Sequence, residues 1–328
     1  MPTLITGGTG FIGLNIAEHL LKKEKHIVLF GLQHDLPEDA KNVFASLAGT
    51  YEVVQGDVLN SDVVDSLFES YAIDHVFHMA VITPGLAREK QNSELITRVN
   101  LLGTLNVLQA ARKHASGRFV YPSSASVYGA NAYGHDYLDE ETTIPIPNAF
   151  YAISKYAAER STLRAKELWG TDVVVGRVGA AFGPWERDTG VRDTLSAPML
   201  TSRLAVQSKE AVLPRPGPRD WVYSRDIAHA LVALSETTSL THDVYNISSG
   251  VRWNVADWCE KLIAEYPAFS YRIADDPAEV NVSFGSRDRS PLAVDQLKAD
   301  VMTPQYGLDE AFDDYMRWIE SSSIFWMQ

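Results

Sequence analysis

Tyr151 and Lys155 stand four residues apart in the run Phe150–Arg164, whose pattern predicts a helix. Positions i and i+4 share one helix face, so the phenol and the ammonium can point into one small volume. A cation beside a phenol favours phenolate and lowers its pKa from an ordinary value of about 10. The pair is therefore a candidate general base, or in reverse a general acid, near neutral pH. A second chemical signal opens the chain. Thr6-Gly7-Gly8-Thr9-Gly10-Phe11-Ile12-Gly13 satisfies both Gly8-x-Gly10-x-x-Gly13 and Gly7-x-x-Gly10-x-x-Gly13. Such glycines permit a tight turn and let a pyrophosphate approach the backbone, while the following helix offers free N–H groups and partial positive charge. This segment predicts dinucleotide binding.

These residues need elements to position them. Short β-rich runs are predicted at Thr3–Thr6, His26–Phe30, Tyr51–Gln55, His75–His78, Arg118–Tyr121 and Asp172–Val178. Helical patterns lie between them at Phe11–Lys23, Asp62–Tyr71, Leu95–His114 and Phe150–Leu168. The alternation is that of an α/β, doubly wound parallel sheet of Rossmann type, and the near-continuous apolar strands fit a sheet covered on both faces. After Gly183-Pro184 the rhythm breaks, with helices expected near Leu200–Ser208, Asp226–Ser235, Ala256–Tyr266 and from Leu308 to about Ile319, and a returning strand at Val244–Ile247. The expected division is a dinucleotide-binding domain of residues 1–178 plus about 220–249. A smaller substrate-binding lobe, about 179–219 and 250–328, would lie over the carboxyl edge of the sheet, where ligands bind in such folds.

Composition narrows the partners. The 328 residues are 45% hydrophobic and 22% charged, ordinary for a globular chain, with a net charge of -13. No Lys/Arg-rich run offers the concentrated positive charge that nucleic acid requires, so no nucleic acid partner is expected. No stretch is apolar enough to span a bilayer, and a cytoplasmic protein without membrane attachment is expected. The single cysteine, Cys259, excludes an internal disulfide and reads as a small buried hydrophobe.

The ribose-reading position carries no obvious signature. Phe30 is followed by Gly31-Leu32-Gln33-His34, with neither a carboxylate for a 2′-hydroxyl nor an arginine for a 2′-phosphate. Gln33 or His34 could contact either ribose, and NAD is preferred over NADP only because a basic residue is absent. Asp57, in Gly56-Asp57-Val58, could accept from the adenine amino group or could equally be a helix N-cap.

Several segments together resemble the extended short-chain dehydrogenases/reductases, the group of NAD-dependent epimerases and dehydratases. They are Thr6–Gly13, Gly56-Asp57-Val58, His78-Met79-Ala80, Asn100-x-x-Gly103-Thr104, Ser123–Gly129, Tyr151–Lys155, Arg219-Asp220-Trp221-Val222-Tyr223 and Tyr245-Asn246-Ile247-Ser248-Ser249-Gly250. The resemblance implies an enzyme using NAD, or NADP, on a secondary hydroxyl of a sugar derivative. Tyr151 would exchange the proton, Lys155 would bind the nicotinamide ribose and lower the tyrosine pKa, Ser124 would hydrogen-bond the substrate hydroxyl, and Asn100 would shape the site. It implies cofactor contacts from Gly7, Gly10, Phe11, Ile12, Gly13, Gln33, Asp57, Val58, Met79, Ala80, Tyr151, Lys155 and Val178. Substrate contacts would come from Thr83, Ser124, Ser126, Tyr151, Gly179, Ala180, Arg219 and Arg289. A homodimer is implied, through a four-helix interface around Leu95–His114 and Phe150–Leu168.

Three departures from the family pattern bear on the substrate. Ser124-Ala125-Ser126 stands where 4,6-dehydratases place Thr-Asp-Glu, which disfavours dehydration. Ala180 stands where nucleotide-sugar epimerases carry an asparagine. Asp275-Asp276-Pro277 is expected at the diphosphate-pairing segment, where two carboxylates would repel a diphosphate. Arg219 remains, and Arg192, Arg203, Arg287 and Arg289 could bind anions, so a free sugar acid or lactone is a second substrate class. A non-catalytic dinucleotide sensor or scaffold is a third reading, against which Tyr151, Lys155 and Ser124 stand. His75 and His78, three apart in one strand, should face opposite sides, so no metal site is expected there. Trp221, Trp253, Trp258, Trp318 and Trp326 are expected to be packing residues.

Overall fold

The computed structural model describes residues 1–115, 117–285 and 287–322, so Trp326 lies outside the described residues. The chain begins with β1 (Thr3–Thr6), α1 (Phe11–Lys22), β2 (His26–Gly31), α2 (Glu38–Phe44), β3 (Thr50–Gln55), α3 (Ser61–Ser70) and β4 (Val76–His78). It continues through α4 (Leu86–Thr97), a π-helical segment (Arg98–Gly103), α5 (Thr104–His114), β5 (Phe119–Ser124), α6 (Phe150–Trp169) and β6 (Val173–Val178). The expected helix from Leu95 to His114 is thus longer and interrupted: α4 kinks at Asn92, and one wide turn precedes α5.

The main sheet has seven strands. Beyond β6 the chain adds β7 (Ala180–Phe182), α7 (Ala197–Val206), β8 (Ala211–Leu213), β9 (Pro218–Arg219), β10 (Trp221–Tyr223), α8 (Ser224–Glu236) and β11 (Val244–Ile247). Strand order is β11-β6-β5-β4-β1-β2-β3, all parallel. Order reverses between β1 and β4, the crevice where ligands settle in doubly wound sheets.

Side-chain alternation explains why the strands read as unbroken apolar runs. Ile5, Leu29 and Val174 enter one core cluster, while their neighbours Leu4, Val28, Val173 and Val175 enter the other. Each such fully buried aliphatic side chain contributes about 1.5–3 kcal/mol.

The remaining elements are β12 (Trp253–Asn254), α9 (Val255–Glu265), β13 (Tyr271–Ile273), α10 (Asp295–Asp300) and α11 (Leu308–Ser321). Three two-stranded sheets, β7 with β10, β8 with β13 and β9 with β12, build the lobe. Trp221, Trp253, Trp258 and Trp318 are buried there, in edge and stacked contact with Phe182 and Tyr315, as expected of packing residues. Cys259 is buried, and burial pushes its thiol up to about 12, which leaves it unreactive at neutral pH. No helix among the described residues is long and apolar enough to cross a membrane.

Candidate active site

The first cavity, about 620 Å³, opens at the carboxyl ends of β1 to β4. Gly7, Gly10, Phe11, Ile12, Gly13, Gln33, Asp57, Val58, Met79 and Ala80 all line it. Its shape depends on missing side chains. Gly7 sits at φ +62, and a Cβ there would lie 2.7 Å from the Ala80 nitrogen. A Cβ on Gly13 would lie 2.5 Å from the Gly7 carbonyl oxygen. Gly8 instead lies close to Leu29 and is not among the lining residues, so the spacing Gly7-x-x-Gly10-x-x-Gly13 is the one that faces the cavity. Gly10 is the N-cap of α1, which has no side-chain cap and no acid in its first turn. Open N–H groups at a helix start, without a competing carboxylate, fit the pyrophosphate of a dinucleotide.

The adenosine end resolves two sequence ambiguities. Asn60, not Asp57, caps α3 by accepting from the Val63 N–H, while the Asp57 carboxylate accepts from Leu59 N–H at the cavity wall. Gln33 is fixed by a 2.8 Å hydrogen bond from the Thr9 hydroxyl, whereas His34 is exposed and is not a lining residue. The end of β2 carries no arginine, as its sequence says, but one reaches the cavity from elsewhere in the chain. Arg187 arrives from the segment after β7 and donates to the Thr9 carbonyl at 2.8 Å.

The second cavity, about 690 Å³, is lined by Tyr151, Lys155, Ser124, Ser126, Thr83, Val178, Gly179, Ala180, Arg219 and Arg289. Val178, expected at the cofactor, lines this cavity and not the first. Ile12, Met79, Val81, Thr83 and Arg192 line both, so the two cavities share a wall.

Tyr151 and Lys155 project from the start of α6 into this cavity, as their spacing predicts. The forces on the phenol differ from the expectation, however. Burial raises the Tyr151 pKa, and it is drawn back by a hydrogen bond with Ser124, the charge of Arg192 and a hydrogen bond with Thr83. Lys155 is 5% exposed. Its ammonium donates to the Pro122 carbonyl and lies 4.3 Å from the Tyr121 ring centroid. Burial lowers its pKa to about 7, against the partial opposition of Glu159. Ser124 donates to Ser126 at 3.1 Å, while Ser123 turns away and donates to buried Glu159 at 2.6 Å. Glu159 also pairs with Arg177 at 2.6 Å, tying α6 to β6 beneath the site.

Asn100 lines neither cavity. Its amide accepts from the Ile82 N–H at 2.8 Å and donates to the Ile82 carbonyl and the Ser154 hydroxyl. From within the π-helical turn it pins the chain leading to Thr83. His78 is likewise internal, held between the Thr6 and Thr104 hydroxyls, and burial drives its pKa down to about 3. Among the described residues no group of three or more His, Cys, Asp or Glu could hold a metal ion.

The lobe contributes cations. Arg289 donates to fully buried Asp220 at 3.1 Å, and Arg219 stacks on Trp221 with its guanidinium carbon 5.3 Å from the ring centroid. Burial and the neighbouring Arg289 lower the Arg219 pKa to about 10. Asp275 and Asp276 do not lie at this cavity. They are exposed, and Asp276 caps a short turn, so the expected repulsion of a diphosphate does not arise there. Arg203 and Arg287 also lie away from the lining, the latter over the Tyr133 ring. Among the described residues lining the cavity, Asp193 is the one carboxylate, and it is held by Arg88 at 2.7 Å.

Residues 3–248 match the model of the NAD dependent epimerase/dehydratase family. The chain belongs to that family. It is an enzyme of this NAD-dependent group, and NAD is its cofactor. It is 27% identical to a dTDP-glucose 4,6-dehydratase of Streptomyces antibioticus, covering 89% of each chain. It is also 27% identical to a dTDP-L-rhamnose 4-epimerase of Burkholderia thailandensis, covering 96% of this chain and 94% of that one. Its fold is similar to the UDP-glucose 4-epimerase of Thermotoga maritima solved with UDP-glucose, with a TM-score of 0.80 at 19% identity over 98% of this chain and 100% of the other.

Proposed function

We propose that this enzyme acts on a secondary hydroxyl of a nucleotide sugar as an epimerase or reductase, with Tyr151 as the proton-exchanging group. The observation that carries the reading is the shared wall between the two cavities. A dinucleotide in the first and a sugar in the second would meet at Thr83 and Arg192, beside the Tyr151 phenol. NAD, when bound, supplies the hydride acceptor and donor.

The protein's own residues do the rest. The Ser124 and Thr83 hydroxyls and the Arg192 charge all act on the Tyr151 phenol in favour of phenolate, and they offset part of the rise that burial, the larger influence, imposes on its pKa. The phenolate oxygen then takes the proton of the substrate hydroxyl and returns it after the carbon has been reduced again. Lys155 is held by the Pro122 carbonyl at the wall of the same cavity.

A nucleotide-bearing substrate is favoured by the lobe. Among the described residues the indole N–H of Trp221 and the Nε of Arg289 have no acceptor, and Arg219 is a buried cation with Arg289 beside it at the wall of the same cavity. Donors left in this state call for an acceptor-rich anion such as a diphosphate. Dehydration is disfavoured, since Ala125 is buried, Ser126 carries no acid and Asp193 is committed to Arg88. The test is turnover of a panel of UDP-, dTDP-, GDP- and CDP-sugars with NAD, followed by NMR. Epimer or ketone formation, lost in Tyr151→Phe, is expected. Turnover of free sugar acids only, with no stabilisation by any free nucleoside diphosphate, would overturn the nucleotide-sugar assignment.

We also propose a homodimer. Leu95, Leu102, Phe150 and Ile153 lie on α4, the π segment and α6, which pack side by side, and all four are exposed. Exposed apolar residues gathered on adjacent helices are a basis for self-association.

A further inference from the structure

Arg192 is tied to the proton-exchanging group through the backbone. The Thr83 N–H donates to the Val191 carbonyl at 2.9 Å, and the Asp193 N–H donates to the Thr83 carbonyl at 3.1 Å. This bridge sets Arg192 beside the residue whose hydroxyl reaches Tyr151.

The guanidinium itself is fixed from two sides. One terminal nitrogen donates to Glu186 at 2.7 Å, and the plane lies over Phe11 with its central carbon 4.9 Å from the ring centroid. Glu186 cannot swing away, because it is buried and also accepts from the Ser196 N–H at 2.8 Å and hydroxyl at 2.6 Å. The adjacent Asp193 is no alternative partner, since Arg88 and the Gly85 N–H occupy it. What remains is the free edge of the Arg192 guanidinium: its Nε has no acceptor among the described residues, and the side chain keeps 21% of its surface exposed on a residue that lines both cavities. A rigid guanidinium with an unused donor is a ready receptor for a carboxylate.

We propose that Arg192 receives a carboxylate carried by the substrate sugar, beside the hydroxyl that Tyr151 deprotonates, so that the enzyme prefers a uronic acid to the corresponding neutral hexose. The inference rests on the reading that the second cavity takes a nucleotide sugar, and it goes further by naming the sugar's charge.

The experiment uses NAD-loaded Tyr151→Phe protein, which binds without turning over, titrated calorimetrically with UDP-glucuronate, UDP-glucose, free glucuronate and free glucose. UDP-glucuronate should bind roughly ten- to a hundred-fold more tightly than UDP-glucose, the range of a charge-assisted hydrogen bond. Arg192→Gln should erase that preference, bringing the affinities for UDP-glucuronate and UDP-glucose together. Because Arg192→Gln strands the buried Glu186 charge, the paired change Glu186→Gln with Arg192→Gln removes both charges together and should give the same result. Arg192→Lys keeps the charge without the planar fork and should retain only part of the preference. Equal binding of acid and neutral sugar by the parent protein overturns the proposal, as does a preference that survives Arg192→Gln or the paired change. If neither UDP-sugar binds but free glucuronate does, in an Arg192-dependent way, the nucleotide reading fails and the Arg192 assignment stands. If neither acid binds, the assignment falls.

Discussion

Replacing Lys155 with methionine should flatten the dependence of stability on pH between about 7 and 10. Lys155 is 5% exposed, and burial is the largest influence on its ammonium, lowering its pKa from 10.5 to about 7. Glu159 opposes that shift without cancelling it. Between the two values an unfolded chain holds a proton that the folded chain has released. Stability must then rise with pH, by at most about 1.4 kcal/mol per pH unit for one proton, or roughly 5 kcal/mol across the whole window. Below pH 7 both states are protonated and the folded state bears the full desolvation penalty. Above 10.5 neither is protonated and the penalty is gone.

Urea unfolding of the nucleotide-free protein at pH 7, 8 and 9, for parent and Lys155→Met, isolates this contribution because every other titrating group is common to both. The variant also leaves the Pro122 carbonyl without its donor, but that loss is independent of pH and shifts the intercept alone. The parent line should therefore be steeper than the variant line, by about 1 kcal/mol per pH unit in the middle of the window. Parallel lines would mean that Lys155 keeps an ordinary pKa in the folded state, and the reasoning about its burial would fall.

Three further outcomes are expected. Tyr151→Phe should lower kcat by about 10²- to 10⁴-fold, as loss of a general acid–base does, with NAD affinity measured by calorimetry little changed. Gly13→Ala should weaken NAD binding by at least about ten-fold and lower stability by roughly 1–3 kcal/mol, since the new Cβ meets the Gly7 carbonyl at 2.5 Å and the turn must move, which calorimetry and urea unfolding would register. Leu102→Glu with Ile153→Glu, at positions 47% and 48% exposed, should convert a dimer to a monomer by light scattering at micromolar concentration while leaving the circular dichroism spectrum unchanged.

Legibility in the sequence followed the range of the interactions. The βα unit from Thr3 to Lys22 could be read directly, because its glycines and its apolar run are neighbours along the chain. Tyr151 and Lys155 were legible for the same reason, one helix turn being a local object. Asp57 could be read equally as an adenine contact or as an N-cap, and the cap of α3 is instead Asn60, three residues closer to the helix body. The short strands β7 to β10 were missed because runs of two or three residues carry no periodicity, and they exist only through pairing across the lobe. The Asp275-Asp276 segment was assigned by its resemblance in order, yet the lobe folds it outward and brings Arg289 to the cavity instead.

The segment from Trp185 to Ser196 shows what local pattern cannot carry. It holds Glu186, Arg187, Arg192 and Asp193, which in sequence form an ordinary mixed-charge loop. Three of them acquire their roles from distant partners, Arg187 from Thr9, Arg192 from Thr83 and Phe11, and Asp193 from Arg88, while Glu186 is fixed within the loop by Ser196 and by burial. The consequence is chemical. A reading confined to the second strand found no basic residue at its end, and one confined to α6 made Lys155 the cation that governs Tyr151. With the loop in position, Arg187 supplies the first charge, while Arg192 supplies the second from a site where Lys155 is held near neutrality by burial. The family motifs therefore define where the proton is exchanged, and this loop, which no motif covers, is where the chain's own substrate preference should be sought.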